Sequence, residues 1–301
     1  MPTPACRFEF TEDAVAFRER AQSYLAADPV TTTVVSTIVD RAIREGATEP
    51  PPHPRWWVSV VDEASGDVVG VAMRTAPFAP YPLYVLPMPE AAALELARLL
   101  HERGDAAPAA NGALPSTDVL MGEVARLSGG VVQVHEHTRL FELHELREPR
   151  RAEGRARVAE ARDLDLAQEW FGAFHVDAAI QAGRDPDDAT ADFIGRDGIA
   201  ARIEAGLVWL WEDASGEVVH LTGFNPPSFG VARVGPVYTP GEQRGHGFAT
   251  SLVADVSRHL LAAPARVCLF TDQANPTSNR IYQSLGYEPV VDMVNLRIVT
   301  G

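Results

Sequence analysis

Val237-Tyr-Thr-Pro-Gly-Glu-Gln-Arg-Gly-His-Gly-Phe-Ala-Thr250 joins two apolar segments of different period. Before and into it, Val231-Ala-Arg-Val-Gly-Pro-Val-Tyr238 reads as a strand. After it, Phe248, Leu252, Val256 and Leu260 recur every four residues, as in a helix that buries one face. Gly245 and Gly247 remove side chains where the backbone turns, so the amides from Arg244 to Ala249 can face an anion near the positive end of the helix dipole. This order predicts a phosphate cradle, although a lone Gly-x-Gly also suits a tight connection with no ligand. The Gly-Lys-Ser/Thr of a nucleoside-triphosphate loop is missing, and Thr250 stands where a dinucleotide fingerprint needs its third glycine.

A second segment, Thr271-Asp-Gln-Ala-Asn-Pro-Thr-Ser-Asn-Arg-Ile-Tyr-Gln-Ser-Leu-Gly-Tyr287, follows the apolar strand Val267–Phe270. Asn275 is suited to cap a helix, Pro276 to its first position and Gly286 to the residue just past its end. Ile281 and Leu285 then face the core, while Asn279 and Tyr282, three apart, share another side near the strand ends.

Together the two segments resemble the GNAT superfamily of acyl-CoA N-acyltransferases, with the nearest likeness to its glycine N-acyltransferase branch. There, Gln/Arg-x-x-Gly-x-Gly/Ala holds the pyrophosphate of coenzyme A, and here that motif lies within Gln243-Arg-Gly-His-Gly-Phe-Ala-Thr250. The resemblance implies acetyl-CoA as cofactor. It implies that the backbone of Val237, Tyr238 and Thr239 meets the pantetheine arm, and that Gln243, Arg244, Gly245, His246, Gly247, Phe248, Ala249 and Thr250 wrap the pyrophosphate. Asn275 and Asn279 would contact the cofactor, each with an alternative as a helix cap or surface amide. The slot for the arm opens in the family where the fourth strand leaves the fifth, and Gly235-Pro236 is where a bulge or lost ladder bond is expected.

Tyr282 matches the tyrosine that protonates the departing thiolate, the one catalytic residue the resemblance supplies. With ordinary pKa values of about 10 for a phenol and about 8.5 for a thiol, that transfer is uphill by about 2 kcal/mol. The reaction implied is direct attack of a neutral amine on the thioester, with a backbone amide near Val237 or Tyr238 holding the oxyanion. The family often places a Glu on the fourth strand, yet Val231–Thr239 has no carboxylate. Glu242 is expected to face solvent and His220 has a suitable ordinary pKa but unknown direction, so no base is assigned and a water relay stays open.

A repeat organises the whole chain. Glu63-Ala-Ser-Gly-Asp-Val-Val69 returns 150 positions later as Asp213-Ala-Ser-Gly-Glu-Val-Val219, each copy preceded by a tryptophan-bearing apolar run. Both read as β-hairpins, and both halves run strand, two helical stretches, hairpin, strand, helix and later strands. The Arg-rich, polar stretch around residue 151 reads as a linker. The expectation is an α+β protein of two tandem GNAT-type domains, 1–150 and 151–301, each with a mixed, mostly antiparallel sheet flanked by helices. The first half has Pro87-Met-Pro-Glu90 where the second has its glycine turn, so it is expected to be a degenerate copy that binds no coenzyme A. Among its expected elements are helices at Thr33–Glu45 and Asp118–Leu127, a loop at Gly104–Ser116, and separate strands at Val131–His137 and Arg139–Leu146. In the second half, helices are expected near Leu164–Phe174 and Asp188–Glu204, and strands over Glu288–Ile298. Trp170, Phe171 and Phe174 either wall an acceptor pocket or pack in the core.

The remaining composition narrows the field. Of 301 residues, 26 are Lys or Arg and 41 Asp or Glu, a formal charge of −15. Without a basic cluster, sequence-independent nucleic-acid binding is not expected. No apolar stretch reaches membrane-spanning length and no signal peptide is evident, so a cytoplasmic protein away from membranes is expected. Cys6 and Cys268 lack disulfide or zinc spacing, His135 and His137 lack a third ligand, and no metal site is assigned. The reading is a short-chain N-acyltransferase, monomer or homodimer, whose acceptor is a small-molecule amine or an exposed amino group. A non-catalytic acyl-CoA sensor and a nicotinamide-dependent oxidoreductase are the rivals, the second disfavoured because a Rossmann unit has no use for Asn275–Tyr287.

Overall fold

The computed structural model describes residues 5–46, 53–77, 79–181, 194–263 and 265–299. The chain divides into two compact units, Met1–Arg139 with Val291–Gly301, and Leu140–Val290.

Unit 1 is built from β1 (Cys6–Thr11), α1 (Ala14–Ala27), α2 (Thr33–Glu45), β2 (Trp56–Asp62), β3 (Val68–Arg74), β4 (Leu83–Val85), α3 (Glu90–Glu102), β5 (Ala109–Ala113) and α4 (Ser116–Ser128). Two long strands, β6 (Val131–Leu143) and β12 (Tyr287–Val299), give residues to both units. The strand order in unit 1 is β1-β2-β3-β4-β5-β12-β6. Pairing is antiparallel from β1 to β4, parallel between β4 and β5, and antiparallel again between β5 and β12. Asp13 caps α1 by accepting from the amides of Val15 and Ala16 at 2.8 and 3.2 Å, which satisfies donors that the first helical turn leaves without partners. Phe17, Ala21 and Leu25, four apart, bury the inner face of that helix, and Phe17 stacks on Trp57 of β2 at 5.9 Å.

Unit 2 comprises β7 (Arg155–Val158), α5 (Leu164–Gln181), α6 (Arg196–Glu204), β8 (Val208–Glu212), β9 (Val218–Ser228), β10 (Val231–Tyr238), α7 (Phe248–Leu261), β11 (Arg266–Asp272) and α8 (Pro276–Ser284). Its strand order is β12-β6-β11-β10-β9-β8-β7, antiparallel from β7 to β10 and parallel between β10 and β11. Two apolar clusters fill it. One joins Trp211, Leu252, Val256, Val267, Leu269 and Tyr287; the other joins Trp170, Phe171, Leu210, Leu221 and Tyr238. Leu252, Val253, Val256 and Leu260 of α7 are buried. At about 1.5–3 kcal/mol for each large apolar side chain, they fix the helix and therefore the turn that precedes it.

The seven-residue repeat turns a hairpin in both units, with the bracing aspartate four residues before the turn glycine in the first, Asp62, and three before it in the second, Asp213. Asp62 accepts from the amides of Ala64 and Ser65, Asp213 from those of Ser215 and Glu217, and Gly66 and Gly216 take φ of +77° and +88°. The mixed α+β architecture is as the sequence predicts, with local differences. The expected loop Gly104–Ser116 contains β5, because Ala109–Ala113 finds ladder partners in β4 and β12 that composition does not reveal. The expected strands Val131–His137 and Arg139–Leu146 are one continuous strand, β6, which stops at Leu143, and the last residues form one strand, β12. Helix α5 runs seven residues past Phe174, to Gln181. Of the expected helix Asp188–Glu204, residues 188–193 lie outside the described residues and α6 covers the rest from Arg196.

Candidate active site

The parallel ladder of unit 2 pairs Val231–Val234 with Arg266–Leu269, while β10 continues to Tyr238 and β11 to Asp272. On its other side β10 shifts register against β9 between Val234 and Val237. The shift falls at Gly235-Pro236, as expected: Gly235 takes φ of +148° and Pro236 has no amide hydrogen for a ladder. Gly223 of β9 makes room for the bulge, since a Cβ there would lie 3.1 Å from both the Gly235 carbonyl and the Pro236 ring. The ends of β10 and β11 therefore carry backbone groups outside their shared ladder. Unit 1 differs at the corresponding place, where β4 stays paired with β5 to its last residue, Val85 opposite Gly112.

Beyond Thr239 the chain makes a short 3-10 turn, Gly241–Gln243, and enters α7 through Gly245 and Gly247, at φ of +87° and +81°. These are left-handed conformations that cost a side-chain-bearing residue about 1–2 kcal/mol. No described atom lies within 4 Å of a Cβ placed on Gly245, and only Ala152 at 3.9 Å meets one on Gly247. The first bond of the helix runs from the Ser251 amide to the Gly247 carbonyl at 3.0 Å, so the amides of Phe248, Ala249 and Thr250 precede the ladder and sit at its positive end. Residues 244–247 are exposed. An exposed, amide-rich turn at a helix N-terminus has the donor set and the open space that a diphosphate needs.

The Arg244 side chain is tied to the end of β10 and to α5. Its Nε donates to the Thr239 carbonyl at 3.0 Å and its terminal nitrogen to Asp177 of α5 at 2.6 Å; the Tyr238 hydroxyl donates to the same Asp177 oxygen at 3.2 Å. Burial, and then the Asp177 charge, push the Tyr238 phenol up to about 12. Sequence reasoning missed Asp177, although it lies seven positions after Trp170 and three after Phe174, whose face was read as either an acceptor wall or core. Of those aromatics, Trp170 and Phe171 are buried in the core cluster and Phe174 packs against it.

Helix α8 begins as its sequence predicts. Asn275 Oδ1 accepts from the Ser278 amide at 3.0 Å, Pro276 is the first helical residue, and Gly286 takes φ of +97° past the end. Asn279 Nδ2 donates to the carbonyls of Asp272, Asn275 and Gln273 at 3.1, 2.8 and 3.4 Å. Both asparagines brace the turn between β11 and α8. Tyr282 is buried in the same cluster as Val234, Leu252 and Leu269, with its ring 6.0 Å from that of Tyr287. Burial raises its pKa, and no described residue hydrogen-bonds its hydroxyl. The Tyr287 hydroxyl, in contrast, is 2.8 Å from that of Ser257.

His220 is fully buried, with Nδ1 2.7 Å from the Thr239 hydroxyl and Nε2 2.9 Å from that of Thr222. Desolvation lowers its pKa to about 3, so it is neutral at physiological pH and unsuited to accept an amine proton. Glu242 is exposed. In unit 1 the loop after β4 offers little to an anion: Pro87 and Pro89 have no amide hydrogen, and the Met88 amide donates to Ser116 Oγ at 3.0 Å. A Cβ on Gly70 would overlap Met88, so that loop lies directly on β3.

Residues 228–297 match the family model described as FR47-like protein. Over the whole chain, a GCN5-related N-acetyltransferase from Sphaerobacter thermophilus is 16% identical across 99% of this chain and 98% of its own, with a TM-score of 0.60. A Drosophila protein is 13% identical over 99% of both chains with a TM-score of 0.64. A tandem GNAT protein from the clavulanic acid biosynthesis pathway is 15% identical over 98% of this chain and 99% of its own, with a TM-score of 0.53. No curated protein matches the chain. The chain therefore has the GNAT fold, and its segment 228–297 is FR47-like.

Proposed function

We propose that this chain is a coenzyme A-dependent N-acetyltransferase that moves an acetyl or other short acyl group to a primary amine by direct attack. The half from 151 onward holds the cofactor and the 1–150 half is a degenerate copy without a cofactor site. One observation carries the reading: β10 leaves β11 at Gly235-Pro236 immediately ahead of a turn whose two left-handed glycines present open amides. The closed β4–β5 ladder and the proline-bearing loop support the assignment of the first half.

Acetyl-CoA, when bound, supplies an activated acyl thioester. The backbone of Val237, Tyr238 and Thr239 lines the parted strand edge and receives the pantetheine arm, and the segment Gln243–Thr250 grips the diphosphate with the amides of residues 245–250, since those of Gln243 and Arg244 already donate to the Pro240 and Gly241 carbonyls at 2.9 and 3.4 Å. Asn275 and Asn279 keep the β11–α8 turn in shape beside it. An amide near Val237 or Tyr238 is the donor for negative charge developing on the acyl oxygen. Tyr282 stays protonated at neutral pH because burial raises its pKa, and it gives that proton to the departing sulfur. The same low-dielectric surroundings also penalise the thiolate, so the gap between the two acids does not widen in proportion to burial. The attacking nitrogen gives its own proton to solvent, and solvent returns one to Tyr282, so the exchange balances.

The acceptor is a small amine or an exposed amino group. Calorimetry with acetyl-CoA, followed by a thiol-release screen across amines, tests the proposal. Saturable binding together with amine-dependent thiol release is expected. Binding with no release for any amine would favour an acyl-CoA sensor, and no binding would end the cofactor assignment.

A further inference from the structure

We propose that Asp177 captures the acceptor in its ammonium form, before the nitrogen sheds a proton to solvent and attacks as the neutral amine, and that cofactor binding exposes the Asp177 charge by drawing Arg244 away toward the diphosphate. The inference rests on the cofactor reading above. Its starting point is a single oxygen, Asp177 Oδ2, that accepts from the Arg244 guanidinium at 2.6 Å and from the Tyr238 hydroxyl at 3.2 Å. Arg244 belongs to the anion-binding turn, and Tyr238 ends the strand whose edge receives the acyl arm. One carboxylate therefore touches both halves of the site.

A carboxylate is an unexpected neighbour for amides that hold a diphosphate, because like charges at short range oppose each other. Its presence has a purpose if its counter-ion is exchanged. Without cofactor, Arg244 neutralises Asp177. With a diphosphate on the amides of residues 245–250, the guanidinium lies between two anions and is drawn to the more highly charged one, for which its planar fork is also suited. Asp177 keeps its position because the Tyr238 hydroxyl still donates to it. It then presents an uncompensated negative charge on the α5 face that carries Trp170 and Phe174, beside the end of β10.

That exchange is physically easy, because the Arg244 and Asp177 side chains are 40% and 32% exposed, and exposed ion pairs are weak. An ammonium group is the complementary ligand, and the half-buried Phe174, one turn away on α5, is the aromatic neighbour for an apolar substituent. Coupling between the two ligands is reciprocal, so cofactor favours amine and amine favours cofactor. The chain's −15 charge assists the approach of such a substrate.

The experiment compares the wild-type chain with Asp177→Asn, Asp177→Glu and Arg244→Ala, with thermal unfolding to verify that each is folded. Probe ligands are coenzyme A and benzylamine, a cation at neutral pH, with neutral aniline as control. Asp177→Asn is expected to bind coenzyme A tighter by about fivefold because Arg244 is released, and Arg244→Ala to bind it more weakly. Benzylamine is expected to bind the coenzyme A-loaded wild type more tightly than the unloaded chain, to lose that binding in Asp177→Asn, and to regain it in Asp177→Glu. Aniline should not distinguish the variants. Coenzyme A binding that is unchanged or weaker in Asp177→Asn overturns the proposal, as does benzylamine binding that is absent from the wild type or indifferent to position 177. A wild-type chain that ignores coenzyme A altogether would defeat the cofactor reading instead, so the two failures are separable.

Discussion

Gly112 lies so close to the carbonyl oxygen of Val85 that a methyl group on it would overlap that oxygen. The contact lets β5 stay in register with β4 to the end of the shorter strand, where unit 2 instead parts its strands. Gly112→Ala should force β4 and β5 apart at a cost of about 1–3 kcal/mol, typical of an overpacked site, and its φ of +156° adds to the strain. The expected result is a lower urea midpoint with an unchanged slope and unaltered acetyl-CoA binding. An unchanged midpoint would show that the glycine is not what closes this ladder.

The glycine turn of unit 2 answers to substitution in the opposite way, because its Cβ positions point into open space. Gly247→Ala should cost about 1–2 kcal/mol from the left-handed φ alone, and Gly245→Ala a similar amount. In both, the added methyl takes up open space beside the amides, and acetyl-CoA affinity should fall by about tenfold, equivalent to about 1.4 kcal/mol. Gly241→Ala, with open space and no left-handed φ, is the control and should change neither quantity. Full affinity in Gly245→Ala would remove the turn from the cofactor site.

What was legible in the sequence was mostly local. The caps of α8 follow from Asn275, Pro276 and Gly286 because capping is decided within a single turn, and the bulge follows from Gly235-Pro236 because proline cannot complete a ladder. Strand β5 was not legible. Ala109-Ala-Asn-Gly-Ala113 has the composition of a loop and is a strand only because β4 and β12 flank it. The passage of β6 and β12 through both units is likewise set by partners distant in sequence. Asp177 escaped notice because periodicity supports α5 only as far as its aromatics, and because a lone acidic residue on a helix reads as solvated until its hydrogen bonds are seen.

His220 makes acid stability testable. Its folded pKa of about 3 lies below the ordinary value of 6.5, so the unfolded chain binds more protons between those values and stability rises with pH across that window. The contribution is complete above about pH 6.5 and is lost as pH falls toward 3, on the order of a few kcal/mol for a fully buried group. His220→Gln keeps polar atoms for Thr239 and Thr222 but removes the titration, and should flatten the stability profile across this range by one proton. An unaltered slope would mean that His220 is not buried neutral in solution.

Tyr282 and Tyr287 share a buried ring contact but differ in what their hydroxyls do. Tyr287→Phe removes the bond to Ser257 and leaves that buried hydroxyl without its tyrosine partner, so a loss of about 1–2 kcal/mol is expected. Tyr282→Phe removes no hydrogen bond to a described residue and should leave the melting temperature unchanged. Acetyl-CoA binding should also be retained, while kcat falls by about tenfold or more if the phenol delivers the proton to the departing sulfur. Burial raises the folded pKa of Tyr282 above its ordinary 10. Its contribution to stability is therefore complete below about pH 10 and is lost as pH climbs beyond it, so Tyr282→Phe should also soften alkaline unfolding. A variant that keeps full kcat while showing the softened alkaline slope would confirm the burial of the phenol and remove it from the chemistry.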